Sequence, residues 1–303
     1  MKRVLTFIFL VLLLGCTYLY RENIVTFLIE NFGNVKKEVT LNSKNEYYRD
    51  YNLSYVHTTD NFKPESKEDL LDMYYTIINS GVDKFTFYCS KLYPTCIEDV
   101  KYLANNQNIL SNINSYVHPY NSFNTIKTEY DTLKRVTLKI EKAYTKEQIE
   151  EIEKVVDKII KDEIKDEKDP KEIIKIVHNY IINNTKYDKA RADKNIIKYY
   201  STNAYGALIE HYGLCGGYTD AMAIFLNRYN IPNFKVVSEN HIWNAVELDG
   251  KWYHLDLTWD DPVLTDGTDT LEYTFFLITT KELEDLETNQ HGFDKKVFSE
   301  LAY

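Results

Sequence analysis

Cys215, His241 and Asp256 are residue types suited to nucleophilic acyl chemistry, and their surroundings in the sequence supply what that chemistry needs. A nucleophilic cysteine requires a stabilised thiolate, which a helix N-terminus and a neighbouring imidazole provide. Cys215 lies in Tyr212-Gly-Leu-Cys-Gly-Gly-Tyr218, ahead of a segment in which Met222, Phe225, Leu226 and Tyr229 recur at helical spacing until Asn230 and Pro232 end it. The backbone N–H of Cys215 is the expected oxyanion donor. Gly213, Gly216 and Gly217 are expected to allow a sharp turn and close approach of a substrate.

His241 and Asp256 bracket a run that reads as a hairpin about Asp249-Gly250, a strong two-residue turn signal. If Leu248 faces Lys251, Trp243 lies opposite Asp256 and His241 opposite Thr258, which makes His241 and Asp256 diagonal neighbours on one face. Such diagonals lie about 7–8 Å apart at the backbone, a gap that His and Asp side chains can close. One extra residue in the turn would flip one strand and break the pairing. The expected roles follow: Cys215 attacks, His241 takes and returns the proton, and Asp256 holds the imidazole's tautomer and orientation. His254 falls on the same face and is the rival imidazole. His178 and His211 lie in helical segments where His packs or caps, and His57, His118 and His291 have no identifiable partner. Trp243, Trp252 and Trp259 read first as core, with a substrate groove as the alternative. Asp260-Asp261-Pro262 reads as a turn rather than a metal site.

These motifs, Gly213-Leu-Cys215-Gly-Gly217-Tyr218, His241-Ile-Trp243-Asn244 and Trp252-Tyr-His-Leu-Asp256-Leu-Thr-Trp259-Asp260, resemble the transglutaminase-like superfamily over roughly residues 172 to 280. The segment from Ile176 to Tyr187-Asp188 and the run Asn203-Ala-Tyr205-Gly206 resemble its bacterial surface or lipoprotein branch. The resemblance implies an α+β fold: a papain-like, transglutaminase-like core with a Cys-bearing helix packed on an antiparallel sheet bearing His and Asp. It implies thiol-based acyl chemistry on amides of proteins or wall peptides, with transfer, deamidation and hydrolysis all open, and no cofactor or metal. It also suggests an oxyanion partner upstream of the cysteine, for which Tyr205 and Asn203 are candidates, with Trp243 as a further substrate-binding candidate. A non-catalytic surface binding module that retains the fold is the alternative.

The elements that must position these residues are legible in part. Ser66-Lys-Glu-Asp69 and Thr145-Lys-Glu-Gln148 are capping boxes ahead of helical stripes, and Asp169-Pro170 gives an N-cap with proline at the first helical position. Phe85, Phe87 and Cys89 alternate like a strand, as do Val136, Leu138 and Ile140, while Ile97 to Leu103 reads as a short helix. The expected division is residues 1–20 as signal peptide, lipobox or anchor, 21–65 as tether, 66–144 as an N-terminal α+β domain, and 145–303 as the transglutaminase-like domain.

Lys2 and Arg3 precede an apolar run from Val4 to Leu14, followed by Gly15 and Cys16, which resembles a bacterial lipobox with Cys16 as the lipidation site. An uncleaved membrane anchor is the alternative, and both readings expect an extracytoplasmic protein attached to the membrane. In an oxidising compartment Cys89 and Cys96 are close enough in sequence to bridge, which would leave Cys215 as a free thiol; two reduced, buried cysteines are the other reading. A hydrophobic content of 44% and charged content of 27% describe a folded globular chain. The net charge of −10, without a basic stripe, argues against nucleic acid as a partner.

Overall fold

The computed structural model of the 303-residue chain describes residues 13–21, 39–50, 52–262 and 270–302, with positions 9, 23 and 24. The N-terminal part begins with α1 (Lys67–Asn79), where Ser66 and Asp69 form the reciprocal capping box and Leu70, Met73, Tyr74, Ile77 and Ile78 are buried. The strand β1 (Lys84–Tyr88), helices α2 (Cys96–Asn105) and α3 (Gln107–Tyr116), and the hairpin of β2 (Phe123–Tyr130) and β3 (Arg135–Lys142) follow. These strands form an antiparallel sheet in the order β1-β3-β2, with Phe85 opposite Leu138 and Phe87 opposite Val136. Cys89 and Cys96 are bridged, which ties the end of β1 to the start of α2.

The second part opens with α4 (Lys146–Ile159), capped by the Thr145–Gln148 box, and α5 (Pro170–Asn184), N-capped by Asp169. A short π-helical segment, Ile160–Ile164, occupies the charged stretch between them. The strand β4 (Lys186–Tyr187) pairs in parallel with β5 (Tyr212–Gly213), on either side of α6 (Lys189–Lys194). Helix α7 (Cys215–Arg228) then leads into a four-stranded antiparallel sheet, β6 (Asn233–Val237), β7 (Ile242–Leu248), β8 (Lys251–Leu255) and β9 (Phe276–Ile278), in that spatial order. A last short helix is α8 (Thr280–Asp285).

This second sheet is buried on both sides. Val246, Leu255 and Leu257 join the core of α4, α5 and α7, whereas Phe234, Val236, Trp243 and Ala245 join the core that contains α1, α3 and the first sheet. Part of the segment expected to be a tether also belongs to the body of the protein, since Val56 and Phe62 are buried. The Arg49 guanidinium, likewise buried, donates to Asn227 Oδ1, Tyr116 O, Asn233 O and Asn233 Oδ1 at 3.0–3.1 Å. One side chain thus joins the N-terminal segment to α3, α7 and β6; a loose tether would leave these carbonyls without that partner. Most of the N-terminal apolar run lies outside the described residues. Among the described residues no helix is long and apolar enough to cross a membrane.

Candidate active site

The hairpin that carries His241 and Asp256 has the register set by its two-residue turn. Asp249 and Gly250 both take positive φ, at 51° and 74°, and Leu248 pairs with Lys251, Ala245 with His254 and Asn244 with Leu255. His241 immediately precedes β7 and Asp256 immediately follows β8, so the two side chains meet at one end of the sheet: Nε2 of His241 lies 2.5 Å from Asp256 Oδ2. Both side chains are nearly inaccessible, at 4% and 2% exposure. The other Asp256 oxygen accepts N–H bonds from Thr258 at 3.0 Å and Trp259 at 3.3 Å.

Cys215 heads α7, is partly exposed, and lines the same cleft as the His241 imidazole, whose protonated form it favours. Because Nε2 is engaged by Asp256, Nδ1 is the ring nitrogen left for sulfur. The first N–H groups of a helix have no carbonyl within it, so that of Cys215 is available to an oxyanion. Electrostatics follow the geometry. Burial alone would lower the basicity of His241, but the Asp256 carboxylate and Cys215 outweigh it and lift the imidazole to about 9. Burial opposes ionisation of Asp256, yet His241 and His291 hold it down at about 2.

His254, the rival imidazole, has both ring nitrogens engaged away from Cys215. Its Nδ1 accepts the Trp243 indole N–H at 2.9 Å, its Nε2 meets Thr280 Oγ1 at 3.0 Å, and burial pushes it down to about 3. Trp243 is 1% exposed and packs rather than lining the opening. The cleft above Cys215 has a volume of about 410 Å³ and is lined chiefly by Tyr187, Asn240, His241, Thr258, Trp259 and Gln290.

The upstream oxyanion candidates fall elsewhere. Tyr205 donates its hydroxyl to Glu151 at 2.7 Å, and Asn203 Oδ1 accepts the Tyr205 N–H at 3.0 Å, so the first side chain is drawn toward α4 and the second caps a turn. Neither lines the cleft. Tyr187 does, and it senses the charge at Cys215: burial first, then that charge, raise its phenol above the ordinary value and keep it a proton donor.

The glycines of the cysteine motif also have a different reason from the one expected. Gly213, Gly216 and Gly217 do not have positive φ, and what approaches them is the protein itself. A Cβ on Gly216 would lie 2.5 Å from the Thr202 carbonyl oxygen, one on Gly217 2.5 Å from that of Ser201, and one on Gly213 2.7 Å from the Tyr218 ring. Residues 201–203 therefore press on the head of α7 and fix where Cys215 sits. Gly217→Ala is expected to cost about 1–3 kcal/mol in denaturant unfolding and to slow thiol alkylation. Wild-type stability and reactivity in this variant would show that the contact is dispensable.

Asp260 and Asp261 lie in the turn and bend that follow β8, and both are buried. Asp260 Oδ2 lies 3.1 Å from His178 Nε2 and its Oδ1 accepts the Phe275 N–H at 2.8 Å, while Asp261 accepts the Tyr218 hydroxyl at 2.5 Å. They anchor the loop bearing Thr258 and Trp259 to α5 and α7. His291, without a partner in the sequence reading, places Nε2 2.9 Å from Asp256 Oδ2. The ligand atoms of His241, Asp256 and His291 lie within 4.8 Å of one another, a spacing that could hold a metal ion. Both imidazoles already bond to Asp256, so a cation would have to displace both hydrogen bonds.

Residues 157–257 match the sequence model of the transglutaminase-like superfamily, and this stretch holds α5, α7 and the His–Asp hairpin. Within residues 157–257 the chain is thus transglutaminase-like. Among solved structures, one titled as that of a TGase is 16% identical, with a TM-score of 0.34, covering 60% of this chain and 64% of its own. One of a candidate cysteine protease from Cytophaga hutchinsonii is 14% identical, with a TM-score of 0.27, covering 44% of this chain and 61% of its own. The chain therefore spans less than two thirds of either, and likenesses this distant carry no argument about activity. No curated protein matches the sequence.

Proposed function

We propose that the chain is a thiol-dependent acyl-transfer enzyme acting on amide bonds of proteins or peptides, with Cys215 as nucleophile. The observation that carries this reading is the partly exposed Cys215 at a helix head, beside an imidazole held by a buried carboxylate and opening on a cleft. In the reaction the Cys215 thiolate forms a bond to the substrate carbonyl carbon. The resulting oxyanion faces the Cys215 N–H and the Tyr187 hydroxyl. The His241 imidazolium gives its proton to the leaving nitrogen as the C–N bond breaks, leaving a thioester. Water or an amine then attacks the thioester, gives its proton to His241 and releases the thiolate.

The protein is further proposed to work outside the cytoplasm, attached to the membrane through a lipid on Cys16 or an N-terminal anchor. This is supported by the charged and apolar N-terminal sequence and by the Cys89–Cys96 bridge, which suits an oxidising compartment.

Two measurements on the full-length chain test the activity: iodoacetamide alkylation of Cys215 against pH, and the burst of p-nitrophenol from an activated ester as Cys215 is acylated. Rapid alkylation near neutral pH that falls at least about tenfold in His241→Ala is expected, together with a burst stoichiometric with Cys215. A slow reaction indifferent to His241 would leave a binding module that retains the fold.

A further inference from the structure

A carboxylate that orients a histidine does so only as firmly as it is itself held, and Asp256 is held on every side. Its Oδ1 takes the two backbone N–H groups of the following turn, and its Oδ2 takes an imidazole N–H from each of two histidines. The second of these rings has a defined tautomer. Thr288 Oγ1 lies 2.6 Å from His291 Nδ1, so a hydroxyl donating there leaves the proton of a neutral ring on Nε2, aimed at Asp256.

The ring is also fixed in space. It stacks on Phe275 with centroids 5.0 Å apart, and it meets Trp243 at 4.9 Å and Trp259 at 5.0 Å edge to face. A bridge between Phe293 and Ser238 ties the following residues to the turn that carries His241. The titratable groups about His291 are Asp256, His241, whose ring centroid is 5.2 Å away, and His254, which lies beyond Trp243 and is neutral.

We infer that His291 is a positioning residue for the active site: its Nε2–H locks the rotation of the Asp256 carboxylate, and through it the orientation of the His241 ring toward Cys215. The inference rests on the thiol-enzyme reading above. It adds a fourth member to the assembly, acting through Asp256 rather than on a substrate.

The test uses the full-length chain as wild type, His241→Ala, His291→Phe, His291→Gln and Thr288→Val, with the alkylation rate of Cys215 measured from pH 5 to 10 and thermal unfolding recorded alongside. Phe keeps the packing against Phe275 and the two tryptophans but removes the donor, and Gln restores a donor. His291→Phe is expected to react about tenfold to a hundredfold more slowly at neutral pH, the usual range for loss of a partner that orients a functional group. His291→Gln is expected to recover most of the rate, and Thr288→Val to lose part of it with the aromatic packing intact. A wild-type rate in His291→Phe, or equal losses in the Phe and Gln variants, would overturn the inference. If His291→Phe fails to fold, Thr288→Val decides in the same way, an unchanged rate sinking the proposal. A wild-type rate indifferent to His241 would sink the enzyme reading and this inference together, whereas dependence on His241 without dependence on His291 sinks only the latter.

Discussion

Asp256→Asn is expected to slow acylation of Cys215, followed as the p-nitrophenol burst, by two to four orders of magnitude. The carboxylate receives four N–H donors, two imidazoles on Oδ2 and two backbone amides on Oδ1. An asparagine has one carbonyl oxygen and one amide nitrogen, so whichever way it turns, a donor faces two donors. Turned one way it forces His241 into the wrong tautomer; turned the other way it strands the amides of Thr258 and Trp259. Stability should follow with a defined pH dependence. Asp256 is depressed from 3.8 to about 2, so its contribution is complete above the ordinary carboxylate value and lost as pH falls through 2. His241 is raised from 6.5 to about 9, so its contribution is complete below 6.5 and lost as pH rises through 9. The gap in melting temperature between wild type and Asp256→Asn should therefore be widest between about pH 4 and 6.5 and should narrow toward pH 9. A gap that stays constant over that range would contradict the ion pair, and a burst reduced less than tenfold would contradict the orienting role.

Lys235→Met is expected to lower the unfolding free energy by about 3–5 kcal/mol in a denaturant titration. Lys235 on β6 donates to Asp220 Oδ1 on α7 at 2.9 Å, both side chains are less than a tenth exposed, and the second Asp220 oxygen accepts the Tyr144 hydroxyl at 2.6 Å. Removing the ammonium strands a carboxylate inside the protein, which costs more than the pair itself contributes. The Tyr144 hydroxyl in turn accepts the N–H of Ala204, next to the residues that press on Gly216 and Gly217. The variant should also alkylate more slowly at Cys215, although Lys235 is no part of the cleft. Adding Asp220→Leu should recover a substantial share of the stability, since the buried charge is then gone. A loss under 1 kcal/mol in the single variant would mean that water reaches Asp220.

The contrast between His254 and His291 shows how far this site can be read from sequence. The hairpin register was legible because a two-residue turn leaves one pairing, and that pairing puts His241, His254 and Asp256 on one face. Choosing between the two imidazoles required knowing that the Trp243 indole occupies one nitrogen of His254. His291 was out of reach, since it meets Asp256 across 35 residues from a loop without periodicity. The same holds for Asp260 and Asp261, whose partners include residues on α5 and α7, and for Arg49, whose guanidinium bonds lead to residues far along the chain. Tyr187 was out of reach for a related reason: only the pairing of β4 with β5 carries it to the cleft. Capping boxes and strand alternation are local signals and marked α1, α4, β1 and β3 where they occur. α3 and β2, with weaker patterns of buried residues, did not stand out.

The second sheet, covered on both faces, separates the unit of recognition from the unit of folding. The matched stretch ends at residue 257, yet Phe234, Val236, Trp243 and Ala245 within it are shielded by residues that precede and follow it. Excised at those bounds, the piece would keep Cys215, His241 and Asp256 while exposing a greasy flank to water. Such a fragment should clump in solution rather than yield a minimal enzyme, so domain shuffling that moved only the matched stretch would require a new cover for that flank.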